Sequence, residues 1–383
     1  MKPLVAFPEV VRAAAELGTI IADAADNIEL AGRLPEAIVE RLTDSGLNHL
    51  YLPASAGGPE VDPISAFLAV EHLARADGSV AWCAQVSTAN SWQIAALHPA
   101  AVALMQAAPA SAMRFSGSAR PLGRAVRVDG GYRVTGRWDF ASNCLHADWY
   151  CGACIAEEDG RRRVRAVVMP IGAGRVIETW QVTGLRGSGS HDFAVQDVFV
   201  SDEFVSAGRH LSSQNSRLYR QRLTMVVNWA PTAAVALGIA RGALDAFSVM
   251  ASHSTAGMVD VPLRDRAEAQ QAVGRASAML GAARTYCLDT VAAAWEAADA
   301  EPAELDPLLA EARLAIPHAM HAAVDIVNLL FHAGGTRSIF ACHTLERRFR
   351  DAQVAVRHGA GSTSHFEAGG RVKLGLPAGA PFW

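Results

Sequence analysis

The sequence predicts an α+β fold in three consecutive parts: an N-terminal helical domain over residues 1–108, a middle β-domain over 109–210, and a C-terminal helical bundle with a tail over 211–383. Three observations predict it. Apolar residues recur at helical spacing to about residue 108, alternating runs broken by Asp129-Gly130-Gly131 and Asp159-Gly160 follow, and long alanine-rich stretches then take over. Strands do not alternate with ten-residue helices, so a doubly wound nucleotide-binding sheet is disfavoured.

The elements follow in order. Pro8 to Leu30 carries apolar residues at helical spacing, Leu34-Pro35-Glu36 opens a helix through Ser45, Asp62-Pro63 precedes one running to Arg75, and Ser79 begins an apolar segment through Ala96. The glycine-bearing stretch LYLPASAGGPEVD reads as a loop. The runs MRFSGSARP, RAVRVDG, GYRVTGRWDFAS, DWYCGACIAE, RRVRAVVMPI and FAVQDVFV read as strands. Helices are then expected over 221–252, 263–298 and 306–333 and from Ile339 to about Arg357, with His365 in a C-terminal loop.

Composition narrows the function. With 383 residues, 51% of them hydrophobic, the chain is long enough for an ordered core, and a net charge of −4 without like-charge blocks offers nothing to nucleic acid. No continuous apolar run approaches ~20 residues, so no membrane association is expected. MKPLVAFPEVVRAAAELGTII reads as an amphipathic helix and not a signal peptide, which points to a cytoplasmic location and reduced cysteines. Cys151 and Cys154 form CGAC inside a strand-like run, and His318 and His321 lack carboxylates at ligand spacing, so no metal site is expected.

Leu34-Pro35, the LYLPASAGG loop, ADGSVAW, GGYRVTGRWDFAS, GLRGSGSHDF, LFHAGG and RRFRD span nearly the whole chain. In that order they resemble the acyl-CoA dehydrogenase superfamily, which implies an acyl-CoA dehydrogenase-like fold. Within it, SARPLGRAVRVDGGYRVTGRWDFASNCLHADWY is similar to the reduced-flavin-dependent monooxygenases, the oxygenase components of two-component aromatic hydroxylase systems. Trp138, Phe140, Ser142, Asn143, Cys144 and His146 carry this likeness.

The resemblance implies roles that the residues alone do not. Ser142, by itself a turn serine, would approach flavin N5, and Trp138, by itself a core aromatic, would flank the ring system, with Phe140 undecided. Arg186, Ser188 and Ser190, and further on Gly334, Gly335 and Arg337, would contact the cofactor. After RRFRD, the thioester dehydrogenases place a glutamate base where this chain has Gly359, which cannot titrate. His358, by itself a helix-end histidine, would stand beside flavin and substrate as a hydrogen-bond donor or proton relay. Trp82, Asn90 and Trp92, with His146 and His358, would line the substrate pocket. Asn90 occupies the place of a histidine in phenol-hydroxylating relatives, so it would orient a substrate and act poorly as a base.

The implied activity is hydroxylation of an aromatic, heteroaromatic or polycyclic ring by molecular oxygen through a C4a-hydroperoxyflavin, with reduced FMN or FAD as cofactor. No Rossmann signature for NAD(P)H occurs, so a separate NAD(P)H-dependent flavin reductase is the implied partner. A homotetramer is also implied. Two alternatives stand beside this reading: an acyl-CoA dehydrogenase with a relocated base, and a flavin-binding protein without catalysis.

Overall fold

The computed structural model describes residues 5–107, 113–158, 160–206, 216–253 and 261–379. Both domain boundaries drawn from the sequence, and Asp159 of the second hairpin turn, lie outside the described residues. The N-terminal part holds α1 (Pro8–Glu16), α2 (Gly18–Ala31), α3 (Glu36–Asp44), α4 (Pro63–Ala76), α5 (Gly78–Ser91) and α6 (Pro99–Ala107). Leu17 ends α1 and caps α2, so the single helix expected from Pro8 to Leu30 is two that present apolar residues to one core. Asp62 accepts from the N–H groups of Ile64 and Ser65, and Asp77 from those of Ser79 and Val80, which fixes where α4 and α5 begin.

The middle part is a seven-stranded sheet, with β1 (Phe115–Val128), β2 (Gly131–Trp138), β3 (Trp149–Glu158), β4 (Arg161–Pro170), β5 (Arg175–Ile177), β6 (Asp192–Ser201) and β7 (Val205–Ser206). Their order across the sheet is β5-β6-β2-β1-β3-β4-β7. Gly130, at φ 71°, closes the β1–β2 hairpin, and among the described residues only β1 and β3 pair in parallel. The two strands expected from MRFSGSARP and RAVRVDG are one, its register shifted between Ser118 and Gly123.

Trp138 corrects an expectation here. Its indole is wholly buried inside the sheet domain, donates Nε1–H to Ala153 O at 2.8 Å and packs on Tyr150. Gly123, Gly136 and Gly152 form its slot, since a Cβ at any of the three would run into the ring. Core packing therefore claims this tryptophan, and it does not flank a cofactor.

The C-terminal part comprises α7 (Thr224–His253), α8 (Ala267–Glu296), α9 (Pro302–Ala333), α10 (Thr344–Ala355) and α11 (Ser364–Lys373). Helix α7 lies close on α4: a Cβ at Gly238 would stand 2.5 Å from Ala74 Cβ, and one at Gly242 2.6 Å from Arg75 O. The two helical parts consequently share one hydrophobic core, whereas the sheet has its own around Tyr150 and Phe193. By length and composition Gln221–His253 and Pro302–Ala333 are apolar enough to cross a membrane, yet 78% and 56% of their apolar windows are buried against the rest of the chain. Helix α11 replaces the loop expected around His365; Gly369 lets it lie directly on Leu314 of α9.

Candidate active site

Ser142 lies in the turn joining β2 to β3, where the backbone takes conformations that residues other than glycine seldom adopt. Phe140 and Asn143 have φ of 56° and 66°, and Leu185 in the facing turn has φ of 50°. These are three of the six non-glycine residues with positive φ among the described residues, so the unusual backbone is concentrated at one place. Main-chain bonds lace the turns together: Ala141 N–H donates to His191 O at 2.8 Å and Asn143 N–H to Ser188 O at 3.2 Å. Ser116 Oγ donates to Ser142 O at 2.8 Å, and Asn143 Nδ2 to Phe115 O at 3.0 Å.

Three hydroxyls and an indole then form a chain. Trp82 Nε1–H donates to Ser142 Oγ at 3.1 Å, Ser142 Oγ lies 2.7 Å from Ser190 Oγ, and Ser190 Oγ lies 2.8 Å from Ser188 Oγ. All four residues are buried. An indole N–H only donates, so Ser142 always accepts one bond; when Ser190 donates to it as well, the Ser142 O–H is left to point at a bound group.

On its other side Trp82 meets His358 edge-on, with ring centroids 5.6 Å apart and an interplanar angle of 79°. His358 caps the short turn Gly359–Gly361, and its Nδ1 accepts from Ala360 N–H at 3.2 Å. This bond assigns the proton of the neutral ring to Nε2. Burial pushes its pKa down to about 4, so the ring is neutral at pH 7. Of the two roles implied for His358, hydrogen-bond donation fits this state and proton relay near neutral pH does not.

The remaining expected residues divide. Asn90 continues the face of α5 that carries Trp82, two turns on, and abuts Gly117, where a Cβ would collide with its amide. Asn90 Nδ2 donates to Val86 O at 2.9 Å and its Oδ1 accepts from Gln93 at 3.2 Å, which leaves one N–H and one lone pair for a ligand. Trp92 instead donates to Leu218 O at 2.8 Å and is a buried tie to the segment before α7, not a pocket wall. His146 is committed through one nitrogen only, its Nδ1 being buried without a partner among the described residues. Its Nε2 accepts from Leu34 N–H at 3.2 Å, and burial, then Arg33 and Arg114, push its pKa down to about 4, so it joins the sheet domain to the start of α3.

Arg186 is half exposed and faces Glu29 at 3.9 Å. Gly334, Gly335 and Arg337 lie at the end of α9 and in the turn Gly335–Ile339, which packs chiefly on α9 and α10 and not on the turns that carry the serine chain. The resemblance leaves Phe140 undecided and gives Trp180 no role. Phe140 is 59% exposed and meets Trp180 edge-on at 6.2 Å, while Trp180 Nε1–H donates to Leu185 O at 3.1 Å. The only signal for Trp180 was a lone tryptophan in ETWQVTG.

A flavin ring needs a flat apolar neighbour and hydrogen-bonding groups at its polar edge. Phe140 and Trp180 supply the first beside Ser142, whose buried hydroxyl chain supplies the second, so the residues present fit that group. Among the described residues no cluster of three or more His, Cys, Asp or Glu has the arrangement of a metal site.

Residues 6–98 match the acyl-CoA dehydrogenase N-terminal domain and residues 230–362 the acyl-CoA dehydrogenase C-terminal domain, which sets the class. Indole-3-acetate monooxygenase of Pseudomonas putida is 32% identical over 330 residues, 84% of this chain and 82% of that protein. The flavin-dependent monooxygenase oxygenase subunit HsaA of Rhodococcus jostii is 28% identical over 358 residues, covering 90% of this chain and 93% of its own. The solved structure of XiaF from Streptomyces sp. in complex with FADH2 and glycerol has a TM-score of 0.89 at 25% identity, covering 98% of this chain and 97% of that one. The chain belongs to the flavin-dependent monooxygenases of the acyl-CoA dehydrogenase family.

Proposed function

We propose that this chain is the oxygenase component of a two-component system that hydroxylates a small aromatic, heteroaromatic or polycyclic molecule with molecular oxygen. Reduced FMN or FAD reaches it from a separate NAD(P)H-dependent flavin reductase. The naming of relatives as an oxygenase subunit and as an indole-3-acetate monooxygenase supports both statements. Alanine-rich helices and the exposed Ile339 and Phe340 support a homotetramer.

The observation that carries the reading is Trp82 standing between Ser142 and His358. When bound, the reduced flavin supplies the electrons that activate oxygen. Ser142 holds its polar edge with the hydroxyl that Trp82 and Ser190 orient. His358 offers Nε2–H to the oxygen to be transferred, as a neutral donor that steadies it without delivering a proton. Asn90 uses its remaining N–H and lone pair to orient a substrate N–H, hydroxyl or carbonyl.

The dehydrogenase alternative needs a carboxylate base; three buried carboxylates hold structural bonds, and of these Asp351 keeps a second buried oxygen, Oδ2, without a partner among the described residues. Asp77 caps α5, Asp351 Oδ1 accepts from Leu185 N–H at 2.6 Å, and Glu71 pairs with Arg284 at 2.7 Å. The test supplies photoreduced FMN or FAD without oxygen, admits oxygen with a panel of indolic, phenolic and polycyclic rings, and measures product and hydrogen peroxide. Ring-dependent hydroxylation supports the reading. Bleaching of oxidised flavin by acyl thioesters, without ring-dependent product, overturns it; weak flavin binding and neither activity leave the non-catalytic alternative.

A further inference from the structure

We infer that Arg313, His365 and His321 are positioning residues that set the direction of His358 by holding the turn behind it. Its functional meaning rests on the role proposed for His358. His358 is followed by the turn Gly359–Gly361, and two of that turn's carbonyls are taken by histidines from two helices. His365 Nε2 of α11 lies 2.9 Å from Gly359 O, and His321 Nε2 of α9 lies 2.9 Å from Gly361 O. A carbonyl only accepts, so both Nε2 atoms carry protons.

Arg313 fixes the tautomer of His365. Its Nε–H donates to His365 Nδ1 at 3.2 Å, which leaves that nitrogen an acceptor and the proton on the side of Gly359. Arg313 is 4% exposed and His365 6%, and His365 also packs on Trp229 at 4.8 Å. A buried guanidinium is an expensive way to hold a loop that apolar packing would also hold. What it adds is direction: the Gly359 carbonyl, which also accepts from Ser362 N–H at 3.1 Å, receives its one side-chain bond from a donor held in one orientation. The main chain is equally constrained, because a Cβ at Gly361 would collide with Val356 O.

His365→Gln retains an acceptor for Arg313 and a donor for Gly359, whereas His365→Leu retains neither. Flavin-free full-length protein labelled with 13C-histidine gives a first readout, the NMR titration of His358. His365→Leu and Arg313→Met are expected to move that titration up by about one pH unit, a tenfold change in proton affinity, and His365→Gln to leave it in place. With reduced flavin and a hydroxylated ring, the leucine variant is expected to release several-fold more peroxide per oxygen consumed at unchanged KM, with the glutamine variant restoring coupling. An unmoved titration in His365→Leu, or a glutamine variant that behaves like the leucine variant, overturns the inference. If the wild type hydroxylates nothing while the titrations respond as expected, the oxygenase reading fails and the anchor stands.

Discussion

The ring of Trp82 stands edge-on to His358 at 5.6 Å, so a single side chain on α5 fixes one wall of the imidazole while its N–H serves Ser142. Trp82→Phe keeps a ring and removes the donor. It is expected to lower stability by about 1 kcal/mol, and Trp82→Ala by about 3–5 kcal/mol. Ser142→Ala strands the same N–H and removes the hydroxyl offered to a flavin. Urea midpoints, with anaerobic reduced-flavin titrations of the phenylalanine and alanine variants at these two positions, check both effects; unchanged flavin affinity in Ser142→Ala would remove that hydroxyl from cofactor binding.

His358→Asn is expected to reduce product formed per oxygen consumed about tenfold, the value of one directed hydrogen bond at the transferring atom, with the missing oxygen recovered as peroxide. Because the ring titrates at about 4, its ionisation should not shape the rate between pH 6 and pH 8. A rate limb near pH 6.5 that disappears in His358→Asn contradicts the neutral-donor role.

Two of the histidines that burial depresses, His146 and His358, give stability a pH dependence of known sign. His146 and His358 titrate at about 4 when folded against an ordinary 6.5, so between those values the unfolded chain binds more protons. Their contribution is complete above about pH 6.5 and is lost as pH falls toward 4. Urea midpoints of the wild type and His146→Gln across pH 4 to pH 7 should converge as pH falls.

Asp351 acts in the opposite sense. Burial first, and Asp77 second, push its carboxyl up to about 7 from an ordinary 3.8. The folded protein therefore holds a proton that the unfolded chain releases, and this contribution fades as pH rises from about 4 to about 7. Asp351→Asn retains an acceptor for Leu185 N–H and removes the titration, so it should gain stability relative to wild type from pH 5 to pH 8. A stability difference that does not change with pH would show that the carboxylate is ionised throughout.

At Gly359 an added Cβ meets nothing within 4 Å, so Gly359→Glu is expected to change stability by no more than about 0.5 kcal/mol. Gly361→Ala should lose about 1–3 kcal/mol through its collision with Val356 O. Thermal melts of the pair decide whether the missing dehydrogenase base reflects chemistry or lack of room.

The three-part α+β organisation, the start of α4 at Asp62-Pro63 and the β1–β2 hairpin were determined by the sequence, because periodicity, caps and turn residues act over a few neighbours, whereas the missing base at Gly359 was legible only through the family resemblance. Ser142, Ser188, Ser190, Trp82 and His358 were legible as candidates only through the order of their motifs. That these five converge is a tertiary fact, since Trp82 and Ser142 lie 60 residues apart.

The same distance hid the corrections. Trp138 alternates at strand spacing whether it faces a cofactor or a slot lined by Gly123, Gly136 and Gly152, and only the folded sheet chooses between them. His146 and Trp92 are polar aromatics, and the main chain of Leu34 and Leu218 takes Nε2 of the one and Nε1 of the other. His365 was expected in a loop, yet close packing of Gly369 on Leu314 favours α11 and brings His365 to Gly359. Local chemistry set the elements and the inventory of reactive groups. Packing between distant segments decided which nitrogens and hydroxyls remain available to a ligand, because a buried polar atom takes whichever partner the fold brings within hydrogen-bond reach.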